Sequence, residues 1–418
     1  MKRAYRGRIL SPRDAGGELL RLDDGLLVVD EGRVVSVAPY APGAFGGPIL
    51  DLRPALILPG FVDTHVHYPQ TRVIGSATGP LLDWLERTAF PEEARLRDEP
   101  YARAVARELT RALLRVGTTT SAIFSSSSEL ATHVLFEALD AAGLRAQAGL
   151  TLMDQLCPEA IRVGAGEAVA ACERLVARWH GHDDGRLSFA LTPRFALSCS
   201  RPLLEAGARL ASARGLLVQT HLSENPMEGE AVRAAHPHGS DYLHVYEDAG
   251  LLTRRTLFAH AIHLSTSEWD RIAAADASIA HCPDSNAFLG SGRMQISQAR
   301  RRKVRVGLGS DVAGGRSFDI RRAMAHAYDN ALALGCPEGP EAWFTAATLD
   351  GARALGLGEV TGSLEPGKDA DFIAIRLPPY VEERWEQALG HLAFSDAGSV
   401  ERVFVRGRAL YTASGIEG

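Results

Sequence analysis

Short runs of apolar residues recur along the middle of the chain, and stretches with helical spacing of apolar positions separate most of them. Eight runs have the length and the branched side chains of buried strands. We predict these strands at Leu56–His67, Thr118–Phe124, Ala146–Met153, Ser188–Leu197, Leu216–His221, Thr256–His263, Ser278–His281 and Val304–Asp311. Helices are predicted between them at Ala102–Arg115, Ala131–Ala142, Glu167–Trp179, Pro202–Arg214 and Ser267–Ala275. The alternation predicts an α/β fold in which parallel strands close into a (β/α)8 barrel.

The two ends of the chain have a different pattern, with short strands and tight turns. Arg33–Val37 near one end and Val400–Val405 near the other are rich in branched residues, and turn-prone residues lie next to each. Segments from opposite ends of a chain can pair, because termini often lie close together. We therefore predict one small sheet domain from residues 1–58 and 364–418, with the barrel formed by residues 59–363.

The amino-acid composition argues against several classes of protein. The 418 residues carry a net charge of −6, and 46% of them are hydrophobic. The charge is spread without a large basic cluster, which argues against a nucleic-acid-binding surface. No apolar run approaches the roughly 20 residues of a membrane helix. Five scattered cysteines without a Cys-x-x-Cys pair are typical of reduced thiols. We expect a cytoplasmic protein that binds neither nucleic acid nor membrane.

Histidines and an aspartate stand at the predicted C-terminal ends of several strands, where barrel active sites lie. His65 and His67 are two residues apart on the first strand, so both side chains point to the same face. His221 ends the fifth strand, His260 lies near the end of the sixth, and Asp311 ends the eighth. Imidazole and carboxylate ligands suit a catalytic Zn²⁺ or Fe²⁺ ion. The pattern therefore predicts a metal centre in the barrel mouth.

The segment Pro59–His67 (PGFVDTHVH) resembles the opening motif of the amidohydrolase superfamily. Further stretches are similar to the guanine deaminases of that superfamily: Tyr68–Gln70, Leu81–Leu85, Thr192–Phe195, His221–Asn225, His281–Asn286 and Gly307–Asp311. The resemblance runs through nearly the whole barrel. It implies a (β/α)8 barrel with a β-sandwich built from both termini, and it implies a homodimer.

The resemblance also implies a reaction, the hydrolytic deamination of guanine to xanthine and ammonia. Glu224 would transfer a proton to a ring nitrogen of the substrate. His260 would orient the metal-activated water, and Asp311 would accept its proton. The implied ligands of one Zn²⁺ per chain, or of Fe²⁺ in its place, are His65, His67, His221 and Asp311.

The distribution of lysine bears on the number of metal ions. Amidohydrolases with two metal ions bridge them with a carboxylated lysine or a glutamate at the end of strand four. That strand ends here near Leu191–Arg194, and no lysine lies between Lys2 and Lys303. A lysine-bridged pair is therefore excluded within strands one to seven, and we expect a single metal ion.

Substrate recognition is expected from residues in the loops at the strand ends. We expect Arg194 to donate to the purine carbonyl oxygen, because its guanidinium is a fixed fork of donors. Gln70 offers a donor and an acceptor to an amide-like purine edge, and Phe195 could cover the ring face, although core packing explains it nearly as well. Trp84 fits a pocket wall and a packed core equally well. Four further residues are expected to contact the substrate: His67, His221, Glu224 and Asp311.

Two alternative functions stay open on the sequence alone. Gln155–Leu156 stand where similar guanine deaminases usually carry Arg-Asn, so another aminated heterocycle, such as a pterin or a modified purine, is a candidate substrate. A catalytically inactive scaffold of the same fold would have lost a metal ligand or Glu224, and here all of these residues are present.

Overall fold

The computed structural model describes residues 2–13, 18–76, 79–381, 384–395 and 398–416. Its strands are β1 Arg3–Pro12, β2 Leu19–Asp30, β3 Arg33–Pro39, β4 Ile49–Pro59, β5 Phe61–His67, β6 Thr118–Phe124, β7 Arg145–Gly149, β8 Thr151–Leu152, β9 Leu187–Pro193, β10 Leu217–Leu222, β11 Thr256–His260, β12 Ser278–His281, β13 Arg305–Leu308, β14 Phe372–Arg376, β15 Ser399–Val405, β16 Arg408–Thr412 and β17 Gly415–Ile416.

Its α-helices are α1 Leu81–Trp84, α2 Phe90–Arg95, α3 Glu99–Arg115, α4 Glu129–Ala142, α5 Ala165–Trp179, α6 His182–Gly185, α7 Arg201–Arg214, α8 Pro226–Ala235, α9 Tyr242–Asp248, α10 Thr266–Ala274, α11 Pro283–Phe288, α12 Ile296–Arg301, α13 Ile320–Ala333, α14 Pro340–Ala346, α15 Leu349–Ala354 and α16 Trp385–Phe394. A π-helical turn, Leu85–Ala89, joins α1 to α2. Short 3₁₀ helices lie at Tyr68–Gln70, Glu159–Ile161, Ala196–Ser198 and Pro379–Val381.

The central sheet is parallel and curls into a barrel. Its strands follow the order β5, β6, β7, β9, β10, β11, β12, β13, and β8 pairs with β9. The last strand meets the first, because the Asp311 amide donates to the His65 carbonyl at 2.8 Å. Gly309 permits this approach, since a Cβ there would lie 2.7 Å from the Cβ of His65. The sheet is therefore nearly closed, and the predicted (β/α)8 barrel is confirmed.

The two chain ends build a second sheet. Its strand order is β17, β16, β15, β14, β4, β1, β2, β3, so the strands from the C-terminal end form one half of a hydrogen-bonded layer and those from the N-terminal end form the other. At the junction, Ile373 of β14 pairs with Leu58 of β4. The rings of Phe372 and Phe404 stack in its core with centroids 4.3 Å apart. The predicted pairing of the two ends is present, and the domain boundaries at residues 58 and 363 stay a prediction.

Several predicted strands differ from the structure in extent. The run Leu56–His67 is two strands, β4 and β5, which belong to different sheets and are separated by Gly60. The strand predicted to reach His263 ends at His260, because His260 and Ala261 have left-handed φ angles of +70° and +51° that turn the chain. Similarly, β7 and β8 divide one predicted strand. Apolar content extends past the strand ends because the mouth of the barrel is itself buried.

The five predicted helices are present as α3, α4, α5, α7 and α10. The sequence analysis missed the wall segment, which we define as residues Leu81–Arg95 and which comprises α1, the π-helical turn and α2. Trp84, Leu85 and Phe90 are buried in it. Among the residues that the structure describes, no helix combines the length and the apolar character needed to cross a lipid bilayer.

Candidate active site

Four predicted ligand side chains converge at the C-terminal end of the barrel. The Nε2 atoms of His65 and His67 lie 3.1 Å apart, and those of His67 and His221 lie 3.2 Å apart. Asp311 Oδ1 lies 3.3 Å from both His65 Nε2 and His67 Nε2. The structure therefore brings together the four residues that the sequence analysis named as metal ligands.

Electrostatics favour the ligand form of each of these groups. Burial lowers the pKa of His65 to about 4 and holds the pKa of His221 well below its usual range, so the imidazoles are neutral at pH 7. Burial alone would raise the pKa of Asp311, but hydrogen bonds with His65 and His67 hold it well below its usual range. Neutral imidazoles and an ionised carboxylate are the forms that bind metal ions.

The spacing of the donor atoms also fits a small divalent ion. The nitrogen donors of His65, His67 and His221 form one group of closely spaced ligand atoms, and Asp311 Oδ1 lies 3.3 Å from two of them, so one ion can contact several of these atoms at once. His221 Nδ1 is 2.6 Å from the Arg194 carbonyl oxygen, which can only accept, so Nδ1 carries the proton. The lone pair of His221 Nε2 therefore faces the other ligands, as in metal sites whose outer contacts fix the tautomer.

Cys282 lies beside the same cluster. Its sulfur belongs with His65, His260 and Asp311 to a second group of closely spaced ligand atoms. Burial raises the pKa of the Cys282 thiol well above its usual range, so the sulfur is protonated at neutral pH. Because the thiolate is the form that binds metal ions, Cys282 is a poorer ligand than the histidines.

Backbone strain is concentrated at this mouth. Ser223, His260 and Asp311 lie at or just after the ends of β10, β11 and β13, and their φ angles are +49°, +70° and +46°. Side-chain-bearing residues rarely adopt this region, and such residues cluster at functional sites when the surrounding fold holds them in place. The strained turns direct these side chains across the mouth of the barrel, whereas a regular strand would direct them away from it.

Glu224 and His260 lie next to the ligand cluster. Glu224 is fully buried; Ser291 Oγ donates to its Oε1 at 3.2 Å, and its Oε2 lies 3.4 Å from His260 Nε2. Burial raises the pKa of Glu224 to about 7, so a large fraction of its carboxyl carries a proton at neutral pH. His260 Nε2 also lies 3.7 Å from Asp311 Oδ2. The arrangement provides proton donors and acceptors within one small volume.

Two further residues hold this pair, and the sequence analysis assigned them no firm role. Asn286 Oδ1 accepts from His260 Nδ1 at 2.8 Å and so fixes the ring. Glu228 Oε2 accepts from the backbone amides of Glu224 and Asn225 at 3.0 and 3.2 Å, and Tyr242 donates to its Oε1 at 2.5 Å. The spacing Asn225-x-x-Glu228 is a capping-box signature at the start of α8, and it could have identified Glu228.

A cavity opens directly onto the ligand cluster, and the space in it, counted out to the open solvent, is about 370 Å³. The wall segment closes one side of it and the strand-end loops close the others. Its lining residues are His67, Gln70, Leu81, Trp84, Leu85, Arg194, Phe195, His221, Glu224, Glu228, Leu289 and Asp311.

The predicted substrate-binding residues all line this cavity, but Gln70 presents a different hydrogen-bonding group from the one expected. Gln70 Oε1 accepts from the Ala313 amide at 3.0 Å. Its carbonyl oxygen is therefore occupied, and Gln70 offers the cavity its NH₂ donor rather than the donor and acceptor that we expected. Phe195 is both buried and part of the lining, so the two interpretations of this ring are compatible.

Arg194 is held by a buried partner that the sequence analysis missed. Its Nη1 donates to Glu93 Oε2 at 2.6 Å, and the side chains of Arg194 and Glu93 are only 4% and 1% exposed. Glu93 lies in α2, 101 residues from Arg194 in sequence. Glu92 and Glu93 are both buried, and the sequence of this unassigned segment carries no signal that two adjacent glutamates lie away from water.

Gln155 and Leu156 lie outside the cavity lining. Gln155 Nε2 donates to the carbonyl oxygens of Leu197 and Cys199 at 3.2 and 3.3 Å. The Leu156 side chain is 64% exposed. Neither residue of the pair that departs from the usual Arg-Asn therefore contributes to the lining of this cavity.

Comparisons with known proteins agree with this site. The model of the Amidohydrolase family matches residues 56–410. The guanine deaminase of Escherichia coli K12 is 35% identical over 96% of this chain and 94% of the relative, and the human guanine deaminase is 36% identical over 76% and 72%.

Solved structures give the same result. The E. coli guanine deaminase structure covers 98% of this chain and 100% of its own, with a TM-score of 0.94 and 34% identity. A guanine deaminase from C. acetobutylicum with bound guanine has a TM-score of 0.92 and 29% identity, and covers 98% and 100%. The chain therefore belongs to the amidohydrolase family, in the branch that contains the guanine deaminases.

Proposed function

We propose that the protein hydrolyses guanine to xanthine and ammonia. The observation that carries this function is the opening of one cavity onto both the ligand cluster and the buried Glu224, which lies beside His260. Two relatives that share most of the chain, at 35% and 38% identity, are a guanine deaminase and a probable guanine deaminase. Hydrolytic deamination needs an activated water, a proton donor to the ring and a pocket for the heterocycle. The ligand cluster, Glu224 and the cavity correspond to these three needs.

We assign one metal ion to His65, His67, His221 and Asp311, with Zn²⁺ as the expected ion and Fe²⁺ as the alternative. When bound, such an ion supplies Lewis-acid chemistry that lowers the pKa of a coordinated water toward neutrality. His65, His67 and His221 provide neutral nitrogen donors, and Asp311 provides the compensating negative charge.

The chain's own residues move the protons in this proposal. Glu224, protonated, donates to a ring nitrogen of guanine, which makes the adjacent amino-bearing carbon electrophilic. His260, fixed by Asn286, holds the attacking water through Nε2. Asp311 accepts the proton that the water loses. A proton then returns to the amino group, the carbon–nitrogen bond breaks, and ammonia leaves.

Recognition of guanine uses donors on the cavity walls. Arg194 is assigned to the purine carbonyl oxygen and the NH₂ group of Gln70 to a second acceptor on the ring. Phe195 covers the ring face. A pterin or another modified purine is the second candidate substrate, but the observation that favoured it, the Gln155–Leu156 pair, lies outside the cavity.

The test is an ultraviolet assay of purified protein, with metal content measured, on guanine, adenine, cytosine and pterin. We expect guanine to be deaminated much faster than the other rings, with one metal ion per chain. Equal turnover of all four rings would contradict the substrate assignment. Two ions per chain would contradict the single-metal assignment, and elemental analysis distinguishes zinc from iron.

The protein's location and assembly are also proposals. The spread of acidic charge and the scattered cysteines support a cytoplasmic protein without nucleic-acid or membrane partners. A homodimer follows from the family resemblance. Analytical ultracentrifugation of the full chain tests it, because a species of twice the 44.9 kDa chain mass is expected.

A further inference from the structure

Glu93 is a buried carboxylate beside the substrate cavity. Its Oε2 accepts from Arg194 Nη1 at 2.6 Å, and its Oε1 accepts from the Ser127 amide at 3.2 Å. The ion pair is shielded from water, since both side chains are at most 4% exposed. Both carboxylate oxygens are therefore fixed, one by the loop after β6 and one by the guanidinium.

The pair leaves part of Arg194 available to a ligand. Among the described residues, the hydrogen bond that this side chain forms with the protein is the one from Nη1 to Glu93. The Phe90 ring packs against the guanidinium, with its centroid 4.8 Å from Cζ. The side chain also lines the cavity. Arg194 can therefore donate further hydrogen bonds into the cavity while the carboxylate of Glu93 balances its positive charge.

The neutralisation of Arg194 by Glu93 affects the binding of substrate and of product differently, because the two differ in charge. Guanine is neutral near pH 7 and presents a carbonyl oxygen, which needs a donor but no net charge. Xanthine carries a second carbonyl that stabilises its anion, so it loses a proton more readily than guanine. A buried guanidinium without a counter-charge would attract that anion strongly, because charges interact more strongly away from water.

We propose that Glu93 determines specificity by neutralising Arg194, so that the cavity selects neutral oxopurines and does not retain an anionic product. This inference rests on the proposed function, which supplies guanine as substrate and xanthine as product. Glu93 acts through Arg194 and is a positioning residue rather than a catalytic one.

Calorimetric binding to the metal-loaded protein tests the proposal. Xanthine and hypoxanthine are the probes, at a mildly alkaline pH where xanthine is largely ionised and hypoxanthine is mostly neutral. We expect Glu93→Gln to raise the affinity for xanthine relative to hypoxanthine by about tenfold. Glu93→Asp, which keeps the charge, and the double variant Glu93→Gln/Arg194→Gln, which removes both charges, should not show this rise. An unchanged ratio in folded Glu93→Gln overturns the proposal.

A second measurement needs no variant. In the wild-type protein, the affinity ratio of xanthine to hypoxanthine should not rise as the pH is increased through the ionisation of xanthine. A tenfold rise would show an uncompensated cation and overturn the proposal even if Glu93→Gln does not fold. Release of ammonia from guanine is measured separately, so failure of the proposed function is distinguished from failure of this inference.

Discussion

Single hydrogen bonds decide what each side chain of the site can do. His221 Nδ1 and His260 Nδ1 each face an oxygen that only accepts, which leaves both Nε2 atoms directed into the site. Gln70 loses its acceptor to the Ala313 amide in the same way. The sequence could predict the residue types and their strand-end positions, but not these tautomers and orientations, because each partner, whether a backbone group or the Asn286 side chain, is distant in sequence.

Glu224→Gln tests the proton donor. Glutamine keeps the size of the side chain but cannot transfer the proton, so we expect kcat to fall by about 10²–10⁴-fold with metal content unchanged. Activity and elemental analysis are measured on the same preparation. Glu230→Gln, an exposed glutamate in α8, is the matched control. Loss of the metal would instead make Glu224 a ligand, and full activity would remove its proposed role.

Trp84→Phe tests a donor of the wall segment. The indole Nε1 of Trp84 is buried without a hydrogen-bond partner among the described residues, and the side chain lines the cavity. If this N–H donates to bound guanine, its removal should raise KM by about fivefold to tenfold with kcat nearly unchanged. Trp343→Phe is the control, because its Nε1 is equally unpartnered but lies outside the cavity. Equal effects of the two substitutions would contradict the role.

Helices and strands position the residues of the site, and an element could be predicted from sequence when its apolar residues were regularly spaced. Helices such as α3 and α4 have uniform helical spacing and side-chain caps, and they were predicted closely. The wall segment was missed because a π-helical turn interrupts its spacing, a feature frequent at functional sites. Glu93 lies in this segment and was missed with it, so the sequence analysis could not identify the buried partner of Arg194.

Glu228→Gln tests how the start of α8 holds Glu224. Glu228 accepts two backbone hydrogen bonds there, and a neutral amide oxygen accepts them less strongly than a carboxylate. We expect kcat to fall by about tenfold while metal content is unchanged. The control is Glu268→Gln, which alters the corresponding capping box of α10 outside the cavity lining. If both variants lose activity equally, the effect is general destabilisation rather than placement of Glu224.

At the scale of the whole molecule, the barrel and the terminal sheet are joined by buried charges. Arg145 of β7 is 1% exposed and contacts Asp371 at 2.9 Å and Asp369 at 2.5 Å, both of which lie just before β14. The pairing of the chain ends could be predicted from their strand patterns. This ion-pair junction could not, because 226 residues separate Arg145 from Asp371.

Arg145→Met tests this junction. Methionine fills much of the volume but leaves two aspartates without their main counter-charge, and breaking a buried pair in this way costs about 3–5 kcal/mol. We expect urea denaturation to show a loss of this size in the free energy of unfolding. Arg72→Met is the matched control, because its pair with Glu108 is 33% and 45% exposed and should contribute less than about 1 kcal/mol. Similar losses in the two variants would show that the Arg145 contacts do not hold the two sheets together.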